Sequence, residues 1–279
     1  MGLSPLAPVL AEARRDGRAV AAFNVIQIEH AEAYAVAAER CSLPVVMQIS
    51  ENCVRYHGSL RPLALATMAI AQACTQPVVV HLDHAESLDL VSEAVELGLT
   101  SVMFDGSKLP DDENRALTRR VVEQCHAAGV SVEAELGEIG GKDGVHAPGV
   151  RTDPGDAARF VADTGVDALA VAVGSSHAMT ERSAVLDTDL IAALADSVPV
   201  PLVLHGSSGV PDDGLVAAVR AGMTKVNIAT HLNQVWTDAM IGRLEEGRTV
   251  DTRTYLGAAR DAVADEAERL MRLLAFTTT

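Results

Sequence analysis

At 279 residues and 48% hydrophobic, the chain can bury one large core without covalent staples, and its length suits a single barrel of about 250 residues better than two small domains. A formal net charge of −16 repels nucleic-acid phosphates and argues against non-specific binding of that kind. The start carries no basic–apolar leader pattern, no run approaches the roughly 20 apolar residues of a membrane span, and the four cysteines have no paired spacing, so the expectation is a cytoplasmic protein with reduced thiols.

Short apolar runs alternate with helical patterns along the whole chain. Strands are predicted at 19–25, 44–50, 77–84, 101–106, 131–137, 168–174, 201–208 and 224–230. Several are near-continuous Val, Ile, Leu and Ala, the composition of parallel strands covered on both faces. Amphipathic segments at 30–41, 62–74, 87–97, 112–128 and 211–221 lie between them, and 254–273 reads as a further C-terminal helix. Glycines suited to helix ends follow at Gly98, Gly129, Gly165 and Gly222. Eight β–α units joined by right-handed crossovers predict an α/β fold, a (β/α)8 TIM barrel; an open doubly wound sheet is the alternative. No composition break divides residues 1–279, which read as one barrel domain. The one long irregular stretch, 137–155, is rich in Gly and charge and reads as an active-site lid.

Polar residues gather where the strands end: Asn24, Ser50 with Glu51, Asp83 with His84, Asp105, Glu133 with Glu135, His177, His205, and Asn227 with Thr230. In a barrel these ends share one mouth. Repeated Asp, Glu, His or Asn after apolar strands needs a reason, because buried charge is costly unless paired or bound to metal. His84, His177 and His205 come from three strand ends and form a tripod with one open side, as a catalytic zinc requires. His81 is expected to face the packed interior, and His30, His57, His126, His146 and His231 to lie on the surface or in loops. The runs GSSHA (174–178) and HGSSGV (205–210) each follow a strand and precede a helix, where backbone N–H groups can cradle a phosphate. Gly and Ser are also ordinary turn residues, so these runs alone decide little.

The motifs AFN (22–24), HLDH (81–84), SVMFDGS (101–107), SVEAELGEIGG (131–141), VGSSHAM (173–179), LVLHGSSGVP (202–211) and KVNIAT (225–230) resemble those of the class II, metal-dependent ketose-bisphosphate aldolases of the fructose and tagatose type. The resemblance spans nearly the whole chain. It implies a zinc-dependent carbon–carbon lyase that cleaves a ketose 1,6-bisphosphate to dihydroxyacetone phosphate and an aldehyde. His84, His177 and His205 would hold Zn2+, and Asp105 and Glu135 would help a second divalent or a monovalent cation. Asp83 would be the acid/base of bond cleavage, with Asn227 bonding the developing oxyanion. Gly174, Ala178, Gly206, Ser207, Ser208, Asn227, Ala229 and Thr230 would bind the phosphate end, and Asn24 and Ser50 would line the far end. A homodimer or homotetramer is the family expectation.

The sequence departs from the family at three places. The lid reads GGKDG (140–144) without the family's glutamate, leaving Asp143 as the candidate base for proton exchange and Glu138 as the second. Ala178 stands where the family has glycine. Ala229 lacks the carboxylate of the fructose-type pattern and is closer to the tagatose type, and Asn233 stands where some members carry an arginine for the distal phosphate. Two further readings follow: an aldolase for a modified or deoxy ketose phosphate, and a catalytically weak partner subunit of a tagatose-type enzyme.

Overall fold

The computed structural model describes residues 2–136, 151–177, 179–247 and 249–277. Eight parallel strands close into a barrel: β2 (Val20–Asn24), β3 (Val45–Ser50), β4 (Pro77–Ala85), β5 (Ser101–Phe104), β6 (Ser131–Leu136), β7 (Ala168–Val171), β8 (Leu202–Leu204) and β9 (Met223–Ile228). The β4–β5 pairing shuts the ring, and a two-residue strand, β1 (Gly2–Leu3), lies along the start of β4. The outer layer contains α2 (Ile28–Cys41), α4 (Arg61–Ala73), α5 (Leu88–Leu97), α6 (Asp111–Ala127), α7 (Pro154–Thr164), α8 (Thr188–Ser197), α9 (Asp212–Ala221), α10 (Thr230–Glu245) and α11 (Thr252–Ala275). None of the described helices is long and apolar enough to cross a membrane.

Two shorter helices went unnoticed in the sequence. α3 (Glu51–His57) follows β3 directly, with Ser50 accepting the N–H of Cys53 as its N-cap. α1 (Leu6–Arg15) closes the bottom of the barrel. Its buried residues Leu6, Val9, Leu10 and Ala13 join Val20, Ala22, Val46, Val79, Ala168 and Val203 in a separate apolar cluster inside the strands. Leu10→Ala is expected to cost about 2–5 kcal/mol in urea unfolding, as a cavity in a close-packed interior does. Turnover per folded molecule should not change, because the plug sits at the end of the barrel opposite the strand termini.

Period-two alternation decides what enters the barrel. On β3 the inward set is Val46, Gln48 and Ser50; on β4 it is Val79, His81 and Asp83. Apolar side chains fill the bottom and polar ones rise toward the mouth. His81 is fully buried, as expected, with Nδ1 at 2.8 Å from Ser101 Oγ; burial, helped by the charge of Lys225, lowers it to about 3, so it is a neutral ring.

Several boundaries differ from expectation. β8 ends at Leu204 rather than 208 because Gly206 turns left-handed and a 3₁₀ turn, Ser207–Gly209, follows. The last residues of the 137–155 segment belong to α7, where Asp153 caps the helix by accepting the N–H of Asp156 and Pro154 fits the first turn. Residues 137–150 lie outside the described residues. His30 is no surface residue: it is buried, stacks on Trp236 at 4.5 Å, and is lowered by burial to about 4. Position three of α2 faces the neighbouring helix α10, which a composition-based reading of a lone histidine does not reveal. His57 and His126 are exposed and His231 is half-buried, each beside one oxygen acceptor: Ile26 carbonyl, Asp167 and Glu266.

Candidate active site

β4 carries the first part of the site, and its geometry is unusual. His84 has φ +50, and the β4–β5 register shifts between Leu82 and Ala85. A strictly pleated strand would send Asp83 and His84 to opposite faces. The bulge and the left-handed turn at His84 bring two consecutive side chains to the same mouth. A left-handed non-glycine residue costs on the order of 1–2 kcal/mol, strain of the kind found where function over-determines a conformation.

His177 follows β7 and His205 follows β8, and both converge on His84. Ring centroids stand 5.2 Å apart for His84–His177, 4.7 Å for His84–His205 and 5.7 Å for His177–His205, all edge-on. With Glu135 they form the group whose potential ligand atoms all lie within 4.8 Å of one another. His205 Nδ1 is buried without a hydrogen bond and faces Glu135 Oε2 across 3.3 Å. Three imidazoles and a carboxylate form a donor set suited to zinc or a similar divalent cation, so these residues fit a metal. Asp105 stands just outside the group: its Oδ2 lies 2.7 Å from His84 Nδ1, and its Oδ1 accepts the Ser107 hydroxyl at 2.6 Å. A ligand histidine oriented by a carboxylate behind it is the usual outer arrangement of metal sites.

Asp83 lies beside this group, its Oδ1 4.0 Å from His84 Nε2. Gln48 donates to Asn24 Oδ1 at 2.9 Å, and Asn24 donates to Asp83 Oδ2 at 3.2 Å, which fixes the carboxylate plane. Oδ1 is buried and has no hydrogen-bond partner. Burial pushes the Asp83 carboxyl up, but the charges of His84, Lys225 and His205 outweigh it and hold the group below its ordinary value. For His205 burial acts downward, yet Glu133 and Glu135 lift it to about 9. A cation entering here would therefore displace a proton.

The opposite wall is built from two loops in close contact. Gly206 has φ +65, and a Cβ there would lie 2.6 Å from the Ser176 carbonyl, so only glycine fits. Gly174 is similar: φ +121, with a Cβ only 2.6 Å from the Val185 oxygen. The Ser208 hydroxyl accepts the N–H groups of Ala229 and His231, each at 3.2 Å, which ties this wall to the start of α10. One cleft is lined by Asn24, Gln48, Ser50, Asp83, His84, His177, Gly206, Ser207, Ser208, Asn227, Ala229 and Thr230. Gly174, on the loop before His177, is not among the residues lining this cleft. Ala178 and Asp143 lie outside the described residues. The Thr152 hydroxyl accepts Ala172 N–H at 2.8 Å and donates to the Leu136 carbonyl at 3.1 Å, which ties the end of β6 to the residues just before α7.

Sequence reasoning missed Gln48, which lines the cleft, and Lys225, the buried partner of Glu133 beneath it. The available signal was alternation: Gln48 lies two residues before Ser50, and Lys225 two before Asn227, each on the same inward face.

A family model described as "Fructose-bisphosphate aldolase class-II" matches residues 4–278. The chain belongs to this family. Its members are aldolases, carbon–carbon lyases that are generally metal-dependent and act on phosphorylated ketoses. Among relatives, a 6-phospho-5-dehydro-2-deoxy-D-gluconate aldolase of Shouchella clausii (strain KSM-K16) is 41% identical over 242 residues, covering 86% of this chain and 83% of the relative. A fructose-bisphosphate aldolase of Giardia intestinalis is 36% identical, covering 95% of this chain and 90% of the relative. The crystal structure of the YdjI aldolase from Escherichia coli K12 superposes with a TM-score of 0.87 at 31% identity, covering 98% of this chain and 97% of the other. The closed eight-stranded barrel is thus the aldolase family's own fold.

Proposed function

We propose that this chain is a zinc-dependent aldolase that reversibly cleaves a phosphorylated ketose into dihydroxyacetone phosphate and an aldehyde. The convergence of His84, His177, His205 and Glu135 beside Asp83 in one barrel mouth carries this reading. Zinc held by the three histidines would supply a Lewis acid for the ketose carbonyl and its neighbouring hydroxyl. Asp83 takes the proton of the hydroxyl next to the breaking bond through Oδ1 and returns it in condensation. Gln48 and Asn24 keep that oxygen aimed by holding the other one. Asn227 donates to the oxygen on which negative charge develops. Backbone N–H groups at Gly206–Ser208 and at the start of α10, Ala229–Thr230, receive the phosphate, and Gly174 and Ala178 keep the phosphate-binding role that the family resemblance implies. Glu135 and Asp105 accommodate a second or shifted cation, and Asp143 serves as the lid base.

A ketose 1,6-bisphosphate of the fructose or tagatose type is the first substrate class. A deoxy ketose phosphate is the second, favoured by the 41% identical relative, whose name denotes a deoxy keto sugar acid with a single phosphate. A coupled assay of dihydroxyacetone phosphate release across fructose, tagatose and deoxy keto sugar acid phosphates, with zinc present, separates them. Turnover of the bisphosphates above the deoxy compound supports the first class, and the reverse order the second. No release from any member would contradict the enzymatic reading in favour of a silent partner subunit.

A further inference from the structure

Below the three histidines lies a charge pair that the proposed chemistry does not touch. Lys225 on β9 and Glu133 on β6 are both fully buried, with Lys225 Nζ 2.8 Å from Glu133 Oε2. The other carboxylate oxygen, Oε1, lies 3.0 Å from His205 Nε2. Neither residue lines the cleft. The positions in register with them, Val20 and Val203 beside Lys225 and Ala168 beside Glu133, belong to the apolar interior cluster. These in-register neighbours are small aliphatics, and replacing a buried ion pair by apolar side chains of similar volume is often neutral or stabilising. A role beyond packing is needed.

The hydrogen-bond chemistry supplies one. An ionised carboxylate only accepts, so the 3.0 Å contact requires His205 to carry a proton on Nε2. Which ring nitrogen binds a metal is set by the hydrogen bond the other one makes. Nδ1 is left to face the centre shared with His84, His177 and Glu135. We propose that Glu133 and Lys225 are positioning residues for the metal centre: Lys225 anchors the Glu133 carboxylate, and Glu133 holds His205 with Nδ1 presented to the cation. This rests on the metal reading given under the proposed function. The pair spans the barrel from β6 to β9, so it also fixes the His205 ring relative to both walls of the site.

Zinc affinity, measured by competition with a chromophoric chelator, tests the proposal in Lys225→Met, Glu133→Gln and the double variant Glu133→Gln/Lys225→Met. The double variant removes both charges together and so leaves neither buried alone. Each variant is expected to bind Zn2+ about 10–100-fold more weakly, the usual effect of losing such outer partners. The absorption spectrum of Co2+-loaded protein should shift as well, a change that altered packing remote from the metal would not cause. Wild-type affinity and an unchanged Co2+ spectrum in the folded double variant would overturn the proposal. Nitrogen-15 spectra of His205 in zinc-loaded wild-type protein provide a check that needs no variant: a proton on Nε2 with zinc at Nδ1 supports the assignment, and coordination through Nε2 overturns it. Failure of the wild-type protein to bind Zn2+ would instead remove the metal reading on which the proposal stands.

Discussion

Asp83→Ala is expected to lower kcat by about 10²–10⁴-fold, the usual contribution of a positioned general acid/base, while zinc content stays near that of the wild type. Asp83 Oδ1 stands 4.0 Å from His84 Nε2, close enough to serve a substrate held at the same centre but outside the ligand group. The Gln48–Asn24 relay ends on the other oxygen, so the substitution removes the acceptor of one hydrogen bond and leaves the histidines in place. Steady-state kinetics and metal analysis on one preparation check both halves. Unchanged kcat would remove Asp83 from the reaction, and lost zinc would make it a ligand rather than an acid/base.

The second large effect concerns the metal itself. His177→Ala should abolish stoichiometric zinc binding and reduce cleavage by on the order of 10³-fold or more, since Lewis-acid stabilisation contributes several kcal/mol and each 1.36 kcal/mol is tenfold in rate. His177 is the informative choice among the three. It sits half-exposed on the loop after β7, whereas His205 is fully buried and bonded to Glu133. Loss of His177 therefore leaves no uncompensated buried charge, and thermal unfolding should move little. Full activity in a zinc-depleted His177→Ala protein would contradict the tripod.

Alternation and strand ends carried much of this site in the sequence. The eight apolar runs matched the strands of the barrel because parallel strands covered on both faces leave a continuous aliphatic signature. His84, His177 and His205 could be grouped because each stands at or just after a strand end and the barrel brings such positions to one mouth. The consecutive pair Asp83–His84 was legible as residues but not as geometry, since nothing in HLDH announces the left-handed His84 or the register shift that turns both inward. Gln48 and Lys225 escaped because they lie inside strands rather than at their ends, and the partner of Lys225 comes from a distant strand. α1 escaped because its amphipathic face packs on the barrel floor rather than on a neighbouring β–α unit. His30 was misplaced for a related reason: its burial depends on Trp236, 206 positions away in the chain.

Release of dihydroxyacetone phosphate can be followed in a coupled assay through one cycle of chelation and zinc return. Turnover of at least one phosphorylated ketose is expected from the zinc-loaded protein, with its loss in the metal-free protein and its recovery with one zinc per chain. Cleavage that continues at full rate after complete removal of metal would contradict the zinc-dependent reading.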